Sequence, residues 1–65
     1  MTWNYRVMQF KGELAIYEVY YNEAGKVCGY SEKPVSPRGE SLEDLRENLL
    51  RYSEALDEPI LDYEN

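Results

Sequence analysis

Residues 41–56 read SLEDLRENLLRYSEAL, and this stretch decides the fold. Ser41 can accept a hydrogen bond from the backbone N–H of Asp44, and a serine followed three residues later by an acidic residue is typical of a helix N-terminus. Pro59 limits the helix at its other end because proline lacks a backbone N–H and restricts the residue before it. The sequence therefore predicts one helix over residues 42–56.

The apolar residues of this helix recur at alternating spacings of three and four, which places them along one side of the helix. They are Leu42, Leu45, Leu49, Tyr52 and Leu56, with Leu50 and Ala55 widening the stripe. We expect this stripe to pack on the rest of the chain, with Leu45 and Leu49 at its centre.

The segments before the helix alternate in the manner of strands, and we predict strands over residues 2–10, 14–21 and 26–33. Turns containing Gly12 and Gly25 separate them. Residues 34–39 form a proline-punctuated crossover to the helix, and the tail after Pro59 can add a short fourth strand. The predicted fold class is α+β: a three-stranded antiparallel β-meander with one C-terminal amphipathic helix packed on one face, in a single domain spanning residues 1–65.

The second predicted strand, LAIYEVYY, divides into two sets of residues on opposite faces. One set is wholly uncharged and consists of Ala15, Tyr17, Val19 and Tyr21. The other set contains Leu14, Ile16, Glu18 and Tyr20. Because the first set lacks charge, we expect the helix to cover it.

Composition limits the classes of function. The 65 residues carry seven basic and thirteen acidic side chains, a net charge of −6, which argues against direct binding to nucleic acid or to an anionic membrane. No run approaches the roughly 20 apolar residues of a membrane span. The N-terminus lacks the pattern of a signal peptide, so we expect a cytoplasmic protein. A basic protein surface is the complementary partner.

The second half of the chain contains GESLEDL at residues 39–45, EAL at 54–56 and EPI at 58–60. Over residues 39–60 it resembles the small domain of HicB-type antitoxins. The resemblance implies a helix packed on a curved three-stranded sheet and a role in masking another protein. It carries over no site residue.

The residue types restrict the possible chemistry. The chain has no histidine, which excludes a histidine base or ligand, and its single cysteine, Cys28, excludes an internal disulfide. We expect Cys28 to be a half-buried strand residue. Glu18 and Glu32 lie on predicted strands that could be neighbours and could hold a divalent cation. Solvated carboxylates are the more ordinary interpretation, so we predict no enzyme, no cofactor and no metal site.

Seven tyrosines, one tryptophan and one phenylalanine exceed what so small a core can hide, and Tyr and Trp are common in protein interfaces. We expect a partner-binding surface on the uncovered sheet face, formed by Trp3, Ile16, Glu18 and Tyr20. The predicted function is a non-catalytic acidic protein-binding module. It either self-associates as a homodimer or sequesters a basic partner, such as a toxin or a nucleic-acid-processing enzyme. A structural homodimer, a phage-type inhibitor that mimics nucleic acid, and a carboxylate- or metal-dependent enzyme subunit stay open.

Overall fold

The computed structural model describes residues 2–63 and contains a curled four-stranded sheet with one helix. The elements are β1 (Thr2–Phe10), β2 (Glu13–Tyr21), β3 (Val27–Tyr30), α1 (Leu42–Glu54), a 3₁₀ turn (Ala55–Asp57) and β4 (Leu61–Asp62). The strand order is β3-β2-β1-β4, with β4 parallel to β1 and the other pairs antiparallel. The predicted α+β class, with three strands, a helix and a short fourth strand, is confirmed.

The third strand is shorter than predicted, because it ends at Tyr30 rather than at residue 33. Beyond that point the chain stays beside β2 only intermittently. The backbone N–H groups of Ser31 and Val35 donate to the carbonyl oxygens of Glu18 and Ile16, at 2.8 and 2.9 Å. The crossover to the helix therefore begins along the edge of β2.

Two turns position the three long segments. Lys11 and Gly12, with φ angles of 52° and 79°, form a two-residue hairpin turn between β1 and β2. Such turns fit the right-handed twist of the strands they join. In the next loop the side-chain oxygen of Asn22 accepts the N–H groups of Ala24 and Lys26, and Gly25 has a φ of 77°. The predicted turn at Gly25 is confirmed, and glycine adopts this left-handed conformation at little cost.

The helix begins where the sequence predicts. The Ser41 hydroxyl accepts the backbone N–H of Asp44 at 3.1 Å, so the predicted N-cap is confirmed. The regular helix ends at Glu54, and the 3₁₀ turn carries the chain to Asp57 before Pro59.

The helix covers the sheet face that we did not expect it to cover. The Tyr52 ring of the helix lies 4.5 Å from the ring of Tyr5, centroid to centroid. Tyr5 is the cross-strand partner of Glu18, and directly opposed residues of an antiparallel pair share a face. The prediction that Ala15, Tyr17, Val19 and Tyr21 pack under the helix is therefore wrong.

The uncharged face is covered instead by the C-terminal tail. Its core consists of Met8, Tyr17 and Val19, and Leu61 and Tyr63 of the tail pack against it. The Tyr63 ring centroid lies 4.5 Å from that of Phe10, 5.3 Å from that of Tyr17 and 4.8 Å from that of Tyr30. We call this side of the sheet the tail face. Our choice of face failed because the tail, and not the helix, supplies its cover.

The apolar stripe of the helix is also oriented differently from the prediction. Only Tyr52 and Ala55 are buried, and Leu45 is half-buried, whereas Leu49 is 47% exposed. The crossover segment explains the rotation because it occupies one side of the helix. The Asn48 side-chain amide donates to the Arg38 carbonyl oxygen, and the Tyr52 hydroxyl donates to that of Ser36 at 2.9 Å.

Candidate functional site

The helix exposes most of its leucines. Leu42 is 71% exposed, Leu49 47%, Leu50 61% and Leu56 69%, and we call these four residues the leucine strip. Leu42 and Leu49 are seven residues apart, which is close to two helical turns, so they lie in line along α1, and Leu56 follows at the same spacing in the 3₁₀ turn. Leu50 widens the strip. Leucines exposed singly need no explanation, whereas four in one short segment make that segment a candidate contact surface.

An acidic ridge borders the leucine strip. It consists of Glu43, Glu47 and Glu54, which recur at spacings of four and seven and therefore share one side of the helix. All three side chains are exposed. Leu50 lies between this ridge and the line of the other three leucines, because it is three residues after Glu47 and four before Glu54. Arg46 is the basic residue closest to the strip in helical position.

Charge is distributed unevenly along the chain. Residues 40–65 contain nine acidic and two basic side chains, a net charge of −7. Residues 1–39 contain four acidic and five basic side chains, a net charge of +1. The negative potential of the protein therefore originates in the helix and the tail, and the leucine strip lies within that potential.

The four predicted partner-binding residues do not form an open face. Trp3, Ile16, Glu18 and Tyr20 belong to the sheet face that bears the helix. Trp3 is 50% exposed, and the other three are half-buried. Trp3 and Tyr20 are cross-strand partners, so the structure brings these two together. The Trp3 ring also packs edge-on against Tyr5, at a centroid distance of 5.2 Å.

Glu18 is engaged within the chain. Its carboxylate accepts the hydroxyl of Tyr20 at 2.7 Å, and this hydrogen bond raises the pKa of Tyr20 above its ordinary value of 10.0. Burial raises the pKa of Tyr52 as well. Both phenols therefore stay protonated at neutral pH and act as hydrogen-bond donors.

The predicted alternative of a Glu18 and Glu32 pair is not favoured by the strand register. The backbone partner of Glu18 is Ser31, whose hydroxyl oxygen accepts the Glu18 N–H at 3.2 Å. Within residues 2–63, no group of three or more Cys, Asp or Glu side chains is arranged to hold a metal ion. Cys28 is exposed on β3, so the expectation that it is half-buried is wrong. A strand at the edge of a sheet leaves such a residue uncovered.

No protein-family model matches the chain. Comparisons with characterised proteins and with solved structures find no match either. The resemblance of residues 39–60 to HicB-type antitoxins therefore stays a hypothesis. No helix in the described part of the chain is long and apolar enough to cross a bilayer.

The sequence does contain a signal for the leucine strip, which our interpretation of the helix missed. Asn48 lies on the side of the helix that also bears Leu45, Tyr52 and Ala55, and these four are the helix and turn residues that are buried or half-buried. A polar residue able to bond to the crossover marks that side as the packed one. The seven-residue repeat of leucines then falls on the neighbouring, uncovered side.

Proposed function

We propose that this chain is a non-catalytic protein-binding module that captures a basic protein through the exposed surface of its helix. The observation that carries the proposal is the exposure of the leucine strip, with Leu42 at 71% and Leu56 at 69%. Burial of a leucine side chain against a partner contributes about 1.5–3 kcal/mol when it is complete. Because the four leucines are 47–71% exposed, each contributes only part of this value, and association also depends on complementary charge.

The sign of the charge supports a basic partner. The region from residue 40 onward has a net charge of −7, and complementary potentials speed the encounter and exclude wrong partners. Nucleic acid is polyanionic and would be repelled from this surface. A basic protein that itself binds nucleic acid has the complementary charge.

Self-association through the same surface is disfavoured by this charge. A homodimer built on the leucine strip would bring two acidic helices together, and like charges in an interface oppose association. Self-association through the open sheet face is also less favourable than the sequence suggested. The helix lies on one side of the sheet, through Tyr52, and the tail on the other, through Tyr63.

A capture experiment with matched variants tests the proposal. The wild-type protein, Leu49→Glu and Leu14→Glu are immobilised and exposed to an extract of the native host at low and high salt. Leu14 is the control because it is 55% exposed and lies on β2, next to the β1–β2 turn, rather than on the helix. Both variants add one negative charge, so only the position differs.

We expect a basic protein that is retained by the wild type and by Leu14→Glu, lost with Leu49→Glu, and released by salt. Retention of the same protein by all three would show that the strip is not the contact surface. An acidic partner, or a partner that salt does not release, would contradict the role of charge. Light scattering at dilute and concentrated protein completes the test, since a stable dimer lost in Leu49→Glu would assign the strip to self-association.

A further inference from the structure

We infer that the element bound by the leucine strip is a basic amphipathic α-helix of the partner, lying along α1. This inference rests on the proposed function and specifies its partner. It follows from the spacing of the exposed leucines, from the side of the helix that the fold leaves open, and from the charges that border it.

The exposed leucines recur every seven residues, at Leu42, Leu49 and Leu56. This is the repeat by which two helices interlock side chains along a shared seam. Leu45 and Tyr52 follow the same repeat three residues later; Leu45 is half-buried, and Tyr52 is buried with its ring against Tyr5 of the sheet. The helix therefore uses one part of its heptad to pack in the fold and leaves the other part exposed.

The spacing between successive leucines also matches a helix. Seven residues of helix advance about 10 Å, so the line of leucines spans roughly 20 Å in steps of about 10 Å. A partner helix with the same repeat presents side chains at the same steps. A partner strand presents side chains on one face about every 6.6 Å, and it falls out of register with the leucines after one step.

The charged residues that border the leucine strip favour a basic partner helix. Glu43, Glu47 and Glu54 line one side of the strip and are exposed. A helix lying on the leucines would place its flanking positions against this ridge, where lysine or arginine is favoured. Arg46 lies closer to the line of leucines, so the partner presents a polar or acidic residue at that one position.

A second copy of this chain does not meet these requirements. In a parallel pair the two copies of α1 would lie level with each other, so the net negative charge of one helix would meet that of the other. In an antiparallel pair centred on Leu49, Glu43 of one copy would lie near Asp57 of the other. Both orientations juxtapose like charges, which opposes association.

Binding of synthetic peptides to the intact protein tests the inference. The first peptide has about 15 residues with leucines at heptad positions and lysines elsewhere, so that it matches the length of the strip. The second has the same composition, but its leucines occupy every second position of the central segment, which gives a strand-like pattern. The third replaces lysine with glutamate in the heptad pattern. Binding is followed by amide chemical shifts of the labelled protein and by the circular dichroism of each peptide.

We expect the first peptide to bind, to gain helicity and to shift the amides of α1. The second and third peptides should bind at least about tenfold more weakly, a difference of about 1.4 kcal/mol. Leu49→Glu should weaken the first peptide by at least about tenfold, and Leu14→Glu should leave it within about twofold. Circular dichroism of each variant verifies that the exposed substitutions leave the fold intact.

The outcomes separate this inference from the proposed function. Equal binding of the first and second peptides would overturn the helical partner while leaving capture of a basic protein by charge in place. Failure of all three peptides, or shifts confined to the sheet, would overturn the inference, and the capture experiment with the host extract would still decide the proposed function. Preference for the glutamate peptide would overturn both.

Discussion

Truncation of Tyr63 should remove a large share of the stability of this domain. Tyr63 is half-buried, and its ring contacts Phe10, Tyr17 and Tyr30 at centroid distances of 4.5–5.3 Å. Its hydroxyl donates to the Glu32 carbonyl oxygen at 2.9 Å, and its backbone N–H donates to that of Gln9 at 3.0 Å. One side chain of the tail therefore connects β1, β2 and the segment around β3.

The magnitude follows from these contacts. Truncating a buried aromatic residue to alanine costs about 3–5 kcal/mol. Because Tyr63 is only half-buried, we expect about 2–3 kcal/mol for Tyr63→Ala. A domain of this size has a total stability of roughly 3–10 kcal/mol, so the variant should be marginally folded. Tyr63→Phe keeps the ring and loses one partly exposed hydrogen bond, for which we expect about 0.5–1 kcal/mol.

Urea denaturation followed by circular dichroism measures both variants, with Leu56→Ala as the control. Leu56 is also apolar and near the C-terminus, but it is 69% exposed, so its truncation should cost under about 0.5 kcal/mol. If Tyr63→Ala lost no more stability than Leu56→Ala, the tail would not be part of the core, and our account of the tail face would be refuted.

Three further predictions concern the helix and the sheet. A Cβ atom at Gly39 would clash with backbone atoms of Leu45 in the first turn of α1, so Gly39→Ala should cost at least about 1–3 kcal/mol. Gly29→Ala, where the nearest contact of the added Cβ is at 3.7 Å, should change the urea midpoint little. Leu49→Ala should cost about 1 kcal/mol in thermal unfolding because Leu49 is about half exposed. Val19 is fully buried, so Val19→Ala should cost about 2–4 kcal/mol. Equal losses of stability would mean that Leu49 is a core residue. The pKa of Tyr20 is raised in the folded state, so the stabilising contribution of Tyr20 is present below pH 10 and is lost as the pH rises through the raised pKa. Tyr20→Phe should remove this pH dependence. A difference in stability between the wild type and Tyr20→Phe that stays constant from about pH 8 to 11 would contradict this prediction.

Local signals in the sequence predict the elements well. Ser41 and Asp44 mark the start of the helix, and Gly12 and Gly25 occupy the left-handed positions of the two turns. Each of these features depends on neighbouring residues alone. The α+β class follows from them because three alternating segments before one amphipathic helix leave few other arrangements.

The side of the sheet that the helix covers could not be predicted in the same way. Both sides of the sheet carry apolar residues, with Val7 on one and Val19 on the other, so hydrophobic pattern alone does not select the side for the helix. The choice depends on how the tail returns to β1, where the Arg6 guanidinium donates to the Pro59 carbonyl oxygen at 2.7 Å. That contact joins residues 53 positions apart in the sequence, so no local sequence pattern predicts it.

The location of the exposed apolar surface depends on the same kind of contact. We predicted this surface on the sheet, at Trp3 and Tyr20, because we assumed that the helix stripe would be buried. A modest rotation of α1, fixed by Asn48 and Tyr52 bonding to the crossover, exposes the leucines instead. Rotation of a helix about its own axis depends on tertiary contacts, which periodicity in the sequence does not specify.

The parallel pairing of β4 with β1 has a consequence for the order of folding. The β1–β2 hairpin joins neighbours in sequence and can form within microseconds, as soon as both strands have been synthesised. The pairing of Met8 with Leu61 must wait until the far end of the chain emerges. Until then, Met8, Tyr17 and Val19 have no tail to cover them, so the growing chain displays its most hydrophobic surface throughout synthesis. An uncovered apolar face favours aggregation, so we expect this interval to be when association with other chains competes most with folding.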